Sequence, residues 1–179
     1  MSPFRDPTTL VLALAASLSL AGCAPRERPA AAPAQVISAR AAASWRELRE
    51  RLPGTWQALS PGGKVITESF RLISNDSALV ETFVTPSGRE TMSVYHPDRD
   101  SLMLTHYCGQ GNQPRLRAVA APGEGVVFRF ADATNELPGQ DLLVEKTVRF
   151  REGGLEQTEV YRKTDGELER TVLRFTRVK

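Results

Sequence analysis

Thr105-His106-Tyr107-Cys108, followed by Gly109-Gln110-Gly111-Asn112-Gln113-Pro114-Arg115, is the densest run of chemically capable side chains in this 179-residue sequence. A thiol and an imidazole two residues apart suggest a cysteine nucleophile with a histidine base. On a strand the two side chains point the same way, but they stand about 6–7 Å apart along it. That is too far for the direct contact such a pair needs. Metal binding is equally poorly served: His96 and His106 are the two histidines, and a four-ligand zinc site needs more donors. A hairpin registered on Asp98-Arg99 sets His96 opposite Ser101 and His106 opposite Thr91, which places the two imidazoles on opposite faces. Gly109-Gln110-Gly111 lacks the lysine and the helix of a phosphate loop. It reads as a turn that needs positive φ, with Asn112 and Gln113 bonding backbone groups. Arg115 opens the next strand. It can clamp a carboxylate bidentately at a barrel mouth, or pair internally with Glu81, Glu90 or Asp132.

A second chemically telling residue lies near the N-terminus. Leu10 to Leu20 is almost entirely Leu, Ala and Val, and ends in Leu20-Ala21-Gly22-Cys23. The apolar run is too short for a bilayer span of about 20 residues and fits the h-region of a signal peptide. The four residues resemble the lipobox of bacterial lipoproteins. That resemblance implies cleavage before Cys23 and lipid on its sulfur, with residues 1–22 as signal peptide. It also implies stable anchoring, because two or three acyl chains hold where one binds only reversibly. Ala24, rather than Asp, then favours the outer membrane, facing the periplasm, over the inner membrane. Residues 23–37 are rich in Ala, Pro and Arg, with Pro25, Pro29 and Pro33. They cannot bury a core and read as a flexible tether.

Composition bounds the rest. Residues 38–179 suffice for one domain with a core. The chain carries 23 basic and 21 acidic residues, a net charge of +2. No basic stripe of the kind nucleic acid requires is present. With Cys23 committed to lipid, Cys108 has no intrachain partner, and a lone thiol in an oxidising compartment is expected to be sheltered.

The elements that must position these residues are mostly strands. From Ser38 to Leu52 the pattern is helical: Trp45, Leu48 and Leu52 form a stripe, Arg46, Glu47, Arg49 and Glu50 the other side, and Pro53-Gly54 ends it. The period then changes to two. Strands are expected near 54–59, 65–73, 78–85, 89–96, 101–108, 115–121, 125–131, 142–151, 155–162 and 168–178, divided by turn signals such as Pro61-Gly62-Gly63 and Pro86-Ser87-Gly88. About ten short strands joined by tight turns predict an all-β, antiparallel up-and-down barrel with a short N-terminal helix, because closure removes exposed edges. Leu142, Val144, Val148 and Phe150 share one face; Glu68 shares a face with Ile66, Phe70 and Leu72, and Glu81 with Leu79 and Phe83. Carboxylates on apolar faces are costly in a dry core; they point either to a barrel that encloses water or to faces half-buried at the barrel ends.

Gly54-Thr55-Trp56 after a helix resembles the first strand of lipocalins and related calycin-like barrels. The resemblance implies a lipocalin-like fold in which Trp56 closes the barrel floor and Arg177, on a face with Leu173 and Phe175, packs across it. The His-Tyr-Cys and Gly-Asn-Gln-Pro-Arg string resembles a group of uncharacterised bacterial lipocalin-like proteins over roughly residues 52–179; no activity follows from it. The chain departs from that group at Leu137–Gln140 and Val160-Tyr161, where the group carries a histidine and a tryptophan.

The expectation is therefore a membrane-anchored lipoprotein whose barrel binds a small, partly apolar ligand, such as a lipid or fatty-acid-like compound. His106, Tyr107 and Arg115 are the expected polar contacts. The alternative is a filled barrel that serves as a structural or protein-binding lipoprotein. No constellation calls for an enzyme, a metal or a cofactor.

Overall fold

The computed structural model describes residues 38–178. The expected signal peptide (1–22), the expected lipid-bearing Cys23 and the expected tether (23–37) lie outside the described residues. One helix, α1 (Ala39–Arg51), precedes ten strands: β1 (Gly54–Leu59), β2 (Val65–Ile73), β3 (Ala78–Val84), β4 (Glu90–Asp98), β5 (Ser101–Tyr107), β6 (Gln113–Val119), β7 (Val126–Thr134), β8 (Leu142–Arg151), β9 (Gly154–Arg162) and β10 (Leu168–Arg177). Each strand pairs antiparallel with its sequence neighbours, and β10 returns to β1. The sheet is a closed up-and-down barrel. No helix among the described residues is long and apolar enough to cross a membrane.

The helix starts where Ser38 caps it, its Oγ accepting the Ala41 N–H at 3.2 Å. Its stripe of Ala41, Trp45 and Leu48, continued by Leu52, is buried in the same apolar cluster as Trp56, Tyr95, Leu104 and Phe128. The helix thus stoppers the barrel at the end that carries the β2–β3, β4–β5 and β6–β7 turns. Arg49 reaches Asp76 in the first of these, and the Ser38 N–H donates to Asp100 in the second. Burying each such Leu or Phe contributes about 1.5–3 kcal/mol. Tyr95 and Phe128 meet edge to face at 5.5 Å in the middle of the barrel. The interior is therefore packed from the helix end upward and is not an empty cylinder.

Three local features differ from the expectations. The β4–β5 ladder sets His96 opposite Met103 and His106 opposite Ser93, because Asp98 joins the ladder opposite Ser101 and the two-residue turn moves on to Arg99-Asp100. The shift is two residues, so the imidazoles still face opposite ways. Strand β7 runs on to Thr134, since Pro114 and Arg115 extend β6 beside it. The register of β8 shifts between Leu143 and Glu145. That bulge turns Leu143 into the core beside Lys146 and Val148 and takes Leu142 off that face, where unbroken alternation had placed it.

Candidate functional site

At the end opposite the helix, the β3–β4, β5–β6, β7–β8 and β9–β10 turns surround a cavity of about 280 Å³. Glu81, Phe83, His106, Cys108, Glu159 and Tyr161 line its interior, with Arg89, Asp141, Lys163 and Glu169 at the rim. The His-Tyr-Cys string builds part of its wall. Cys108 and Asn112 close the β5–β6 turn through backbone bonds of 3.1 Å and 2.9 Å, the second from Gly111 at positive φ. Asn112, fully buried, donates to the Asp141 carbonyl at 3.0 Å, and Gln140 donates to the Gln110 carbonyl at 2.7 Å. Asn135 donates to the Gly111 carbonyl at 2.6 Å. These amides tie the β5–β6 turn to the β7–β8 loop and hold the rim in shape.

Beneath the cavity lies a buried ionic cluster. Lys146, on β8 and wholly buried, donates to Glu81 on β3 at 2.6 Å and to Glu159 on β9 at 2.9 Å. Glu81 also accepts from the Tyr95 hydroxyl. Glu68 lies deeper and accepts from Gln157 at 2.8 Å. Burial raises the Glu68 carboxyl well above its ordinary pKa, and Glu81 pushes it the same way. Burial, the largest single influence, opposes the charge on Lys146, but Glu81, Tyr95, Glu159 and Glu68 together outweigh it and raise the ammonium well above its usual value. Burial likewise opposes ionisation of Glu159, yet Lys146 draws its pKa below the ordinary range. Tyr161 is raised by burial and by Glu159, so its phenol stays a donor. The cluster thus holds an ammonium and two carboxylates, and the Glu159 side chain remains 23% exposed toward the cavity.

His106 completes the floor. Burial lowers its pKa, so the ring is neutral near pH 7. Ser93 Oγ lies 3.5 Å from Glu81 Oε1 and 3.1 Å from His106 Nδ1. The carboxylate is the stronger acceptor. With the Ser93 proton directed there, Ser93 accepts from Nδ1–H and leaves His106 Nε2 as a bare acceptor. Nε2 is buried without a protein partner.

No protein-family model matches this chain, and no curated protein matches it.

Of the three polar contacts expected from the sequence, the barrel brings one to the cavity. His106 faces in. Tyr107, its neighbour, faces out and is 44% exposed, as alternation along β5 requires. Arg115 also faces out, between the buried Pro114 and Leu116, and forms a two-pronged pair with Asp132, one contact at 2.7 Å. It is a surface ion pair, not a clamp at the mouth. Cys108 shares the cavity face with His106 and is half-buried. Trp56 and Arg177 meet as the floor motif implies, with the guanidinium 4.3 Å from the ring centroid. Lys146, Glu159 and Tyr161 are absent from the sequence-based set. Alternation carries their signal: Lys146 lies on the face of Val148, and Glu159 and Tyr161 on the face of Leu155.

Proposed function

We propose that this protein is an envelope lipoprotein, anchored through Cys23, whose lipocalin-like barrel binds a small molecule in the cavity at its open end. The observation that carries the reading is the buried Lys146–Glu81–Glu159 cluster directly below an open cavity. Such a cluster costs several kcal/mol of desolvation per ion and is poor evidence of stability. Convergent polar groups in an otherwise apolar pocket are the usual make-up of a ligand site.

The size and chemistry of the site narrow the expected ligand. About 280 Å³ is at the lower edge of small-molecule pockets, which run to about 1,000 Å³. Tyr95, Leu104 and Phe128 fill the space a long acyl chain would need. A compact, hydrogen-bonding molecule with one apolar face toward Phe83 and Tyr161 suits the cavity better than a fatty acid. His106 and Glu159 are its proposed polar contacts.

The filled lower barrel favours the second reading, a protein-binding lipoprotein. Native mass spectrometry of the full chain after incubation with an envelope small-molecule extract separates the two. A retained small adduct, lost in Glu159→Gln, supports the ligand-binding reading; a bare mass under all conditions supports the second. Cys23→Ser is expected to move the protein from the membrane fraction to the soluble one, and undiminished membrane association would count against the anchor.

A further inference from the structure

We propose that the molecule bound in the open-end cavity carries a protonated amine, seated on Glu159 and His106. This deepens the small-ligand reading and rests on it.

Charge is the first argument. Among the buried floor groups, Glu81 and Glu159 are carboxylates and Lys146 is the one cation, which leaves one formal negative charge uncompensated. Lys146 cannot serve an anion, because it is wholly buried and its ammonium is committed to both carboxylates. Glu68 adds no cationic counterweight; burial favours its neutral form. At the rim, Lys163 is engaged by Asp141 at 2.6 Å and Glu169 at 3.0 Å. With Arg89 the rim carries two charges of each sign, so the excess at the floor is not cancelled above.

Hydrogen-bonding capacity is the second and independent argument. The unfilled positions at the floor are acceptors. His106 Nε2 is buried and unpartnered, and Glu159 turns part of its carboxylate to the cavity. A buried acceptor without a donor costs about 1–3 kcal/mol, and an ammonium donor answers both acceptors at once. The walls suit a cation too: Phe83 and Tyr161 present aromatic surface to the cavity, and a ring face attracts a cation. A carboxylate ligand would meet Glu159 at the floor, where Lys146 is already committed, and the cation left to it, Arg89, stands at the rim. A neutral alcohol would satisfy one acceptor and gain no Coulomb attraction.

The test uses the full chain and two matched series of probes: benzylamine, benzyl alcohol and benzoate, then butylamine, butanol and butyrate. Binding is followed at about pH 7.5, where both amines are protonated, by titration calorimetry and by the His106 ring signals in NMR. The expected result is that each amine binds at least about ten-fold tighter than its alcohol, moves the His106 signals, and is displaced by neither acid. Glu159→Gln is expected to remove that preference, and Arg115→Ala to leave it intact. Equal or tighter binding of the alcohols or acids, with the His106 signals moving, overturns the amine assignment and leaves the small-ligand reading standing. Failure of all six probes to move His106 overturns both. The wild-type comparison needs no variant, so the inference remains falsifiable even where Glu159→Gln fails to fold.

Discussion

Lys146 Nζ lies 2.6 Å from Glu81 Oε1, although β8 and β3 are not neighbours in the sheet and the residues are 65 positions apart. The pair is a strut across the barrel interior, and Glu159 braces it from the adjoining strand. Removing the cation strands two carboxylates. Lys146→Met is therefore expected to destabilise the fold by about 3–5 kcal/mol, the usual cost of breaking a buried pair. Lys146→Met with Glu81→Gln is expected to recover part of that loss, since one stranded charge is gone. Urea denaturation of wild type, both single variants and the double variant reads the coupling directly. A Lys146→Met protein as stable as wild type would show that the strut contributes nothing.

Glu68 gives a prediction of the opposite sign. Its folded pKa is raised well above 4.5 by burial. The folded state therefore holds its proton where the unfolded chain releases it, and stability falls as pH rises from about 4.5 toward the folded value. Glu68→Gln keeps the shape and an acceptor for Gln157 but removes the titration. The variant is expected to match wild type near pH 4 and to exceed it near pH 8. Thermal unfolding at the two pH values checks this; a variant less stable than wild type at the higher pH would contradict it.

Arg115 supplies a control from the same sequence string. Its pair with Asp132 is about half exposed on both sides, and exposed pairs contribute about 0–1 kcal/mol. Arg115→Ala is expected to lower stability by no more than about that amount and to leave cavity binding unchanged. A loss of ligand or probe affinity would return Arg115 to the site.

The barrel was legible because its two signals are local. Apolar residues alternate along most strands, and Gly, Pro, Asn and Asp mark the turns between them. Glu68 and Glu81 were visible as carboxylates on apolar faces for the same reason. Lys146 sits on an equally apolar face, yet its role appears only when closure brings β8 across from β3, a relation no local pattern contains. Tyr107 and Arg115 drew attention by the company they keep in the string, whereas alternation puts Tyr107 outside once His106 is inside. The β8 bulge escaped because Leu142, Leu143 and Val144 are all apolar, so nothing in their types says which residue is the extra one.

Arg177 and Trp56 offer the last test, at the seam where the barrel closes. The β1–β10 ladder pairs Trp56 with Arg177 and Gln57 with Thr176, and beyond them the Val178 N–H donates to the Thr55 carbonyl at 2.8 Å. Arg177 strengthens this short seam in three ways. Its guanidinium stacks over the buried indole, donates to the Pro53 carbonyl at 2.6 Å, and donates to the Arg51 carbonyl at the C-terminus of α1, where a cation is favoured. Gly54 makes room for it: its φ is +128°, and a Cβ there would collide with the guanidinium. Trp56 in turn donates to the Leu52 carbonyl at 2.8 Å, so ring and guanidinium together fix the helix to the barrel. Trp56→Ala is expected to cost about 3–5 kcal/mol, and Arg177→Ala about 1.5–3 kcal/mol. Arg177→Lys keeps the charge but loses the planar fork and the stack, so it is expected to recover less than half of the Arg177→Ala loss. Hydrogen exchange gives the finer reading. In Arg177→Ala the amides of β1 and β10 are expected to exchange faster while those of β4 and β5, across the barrel, hold their protection; a uniform change over all strands would mean that the seam does not open by itself.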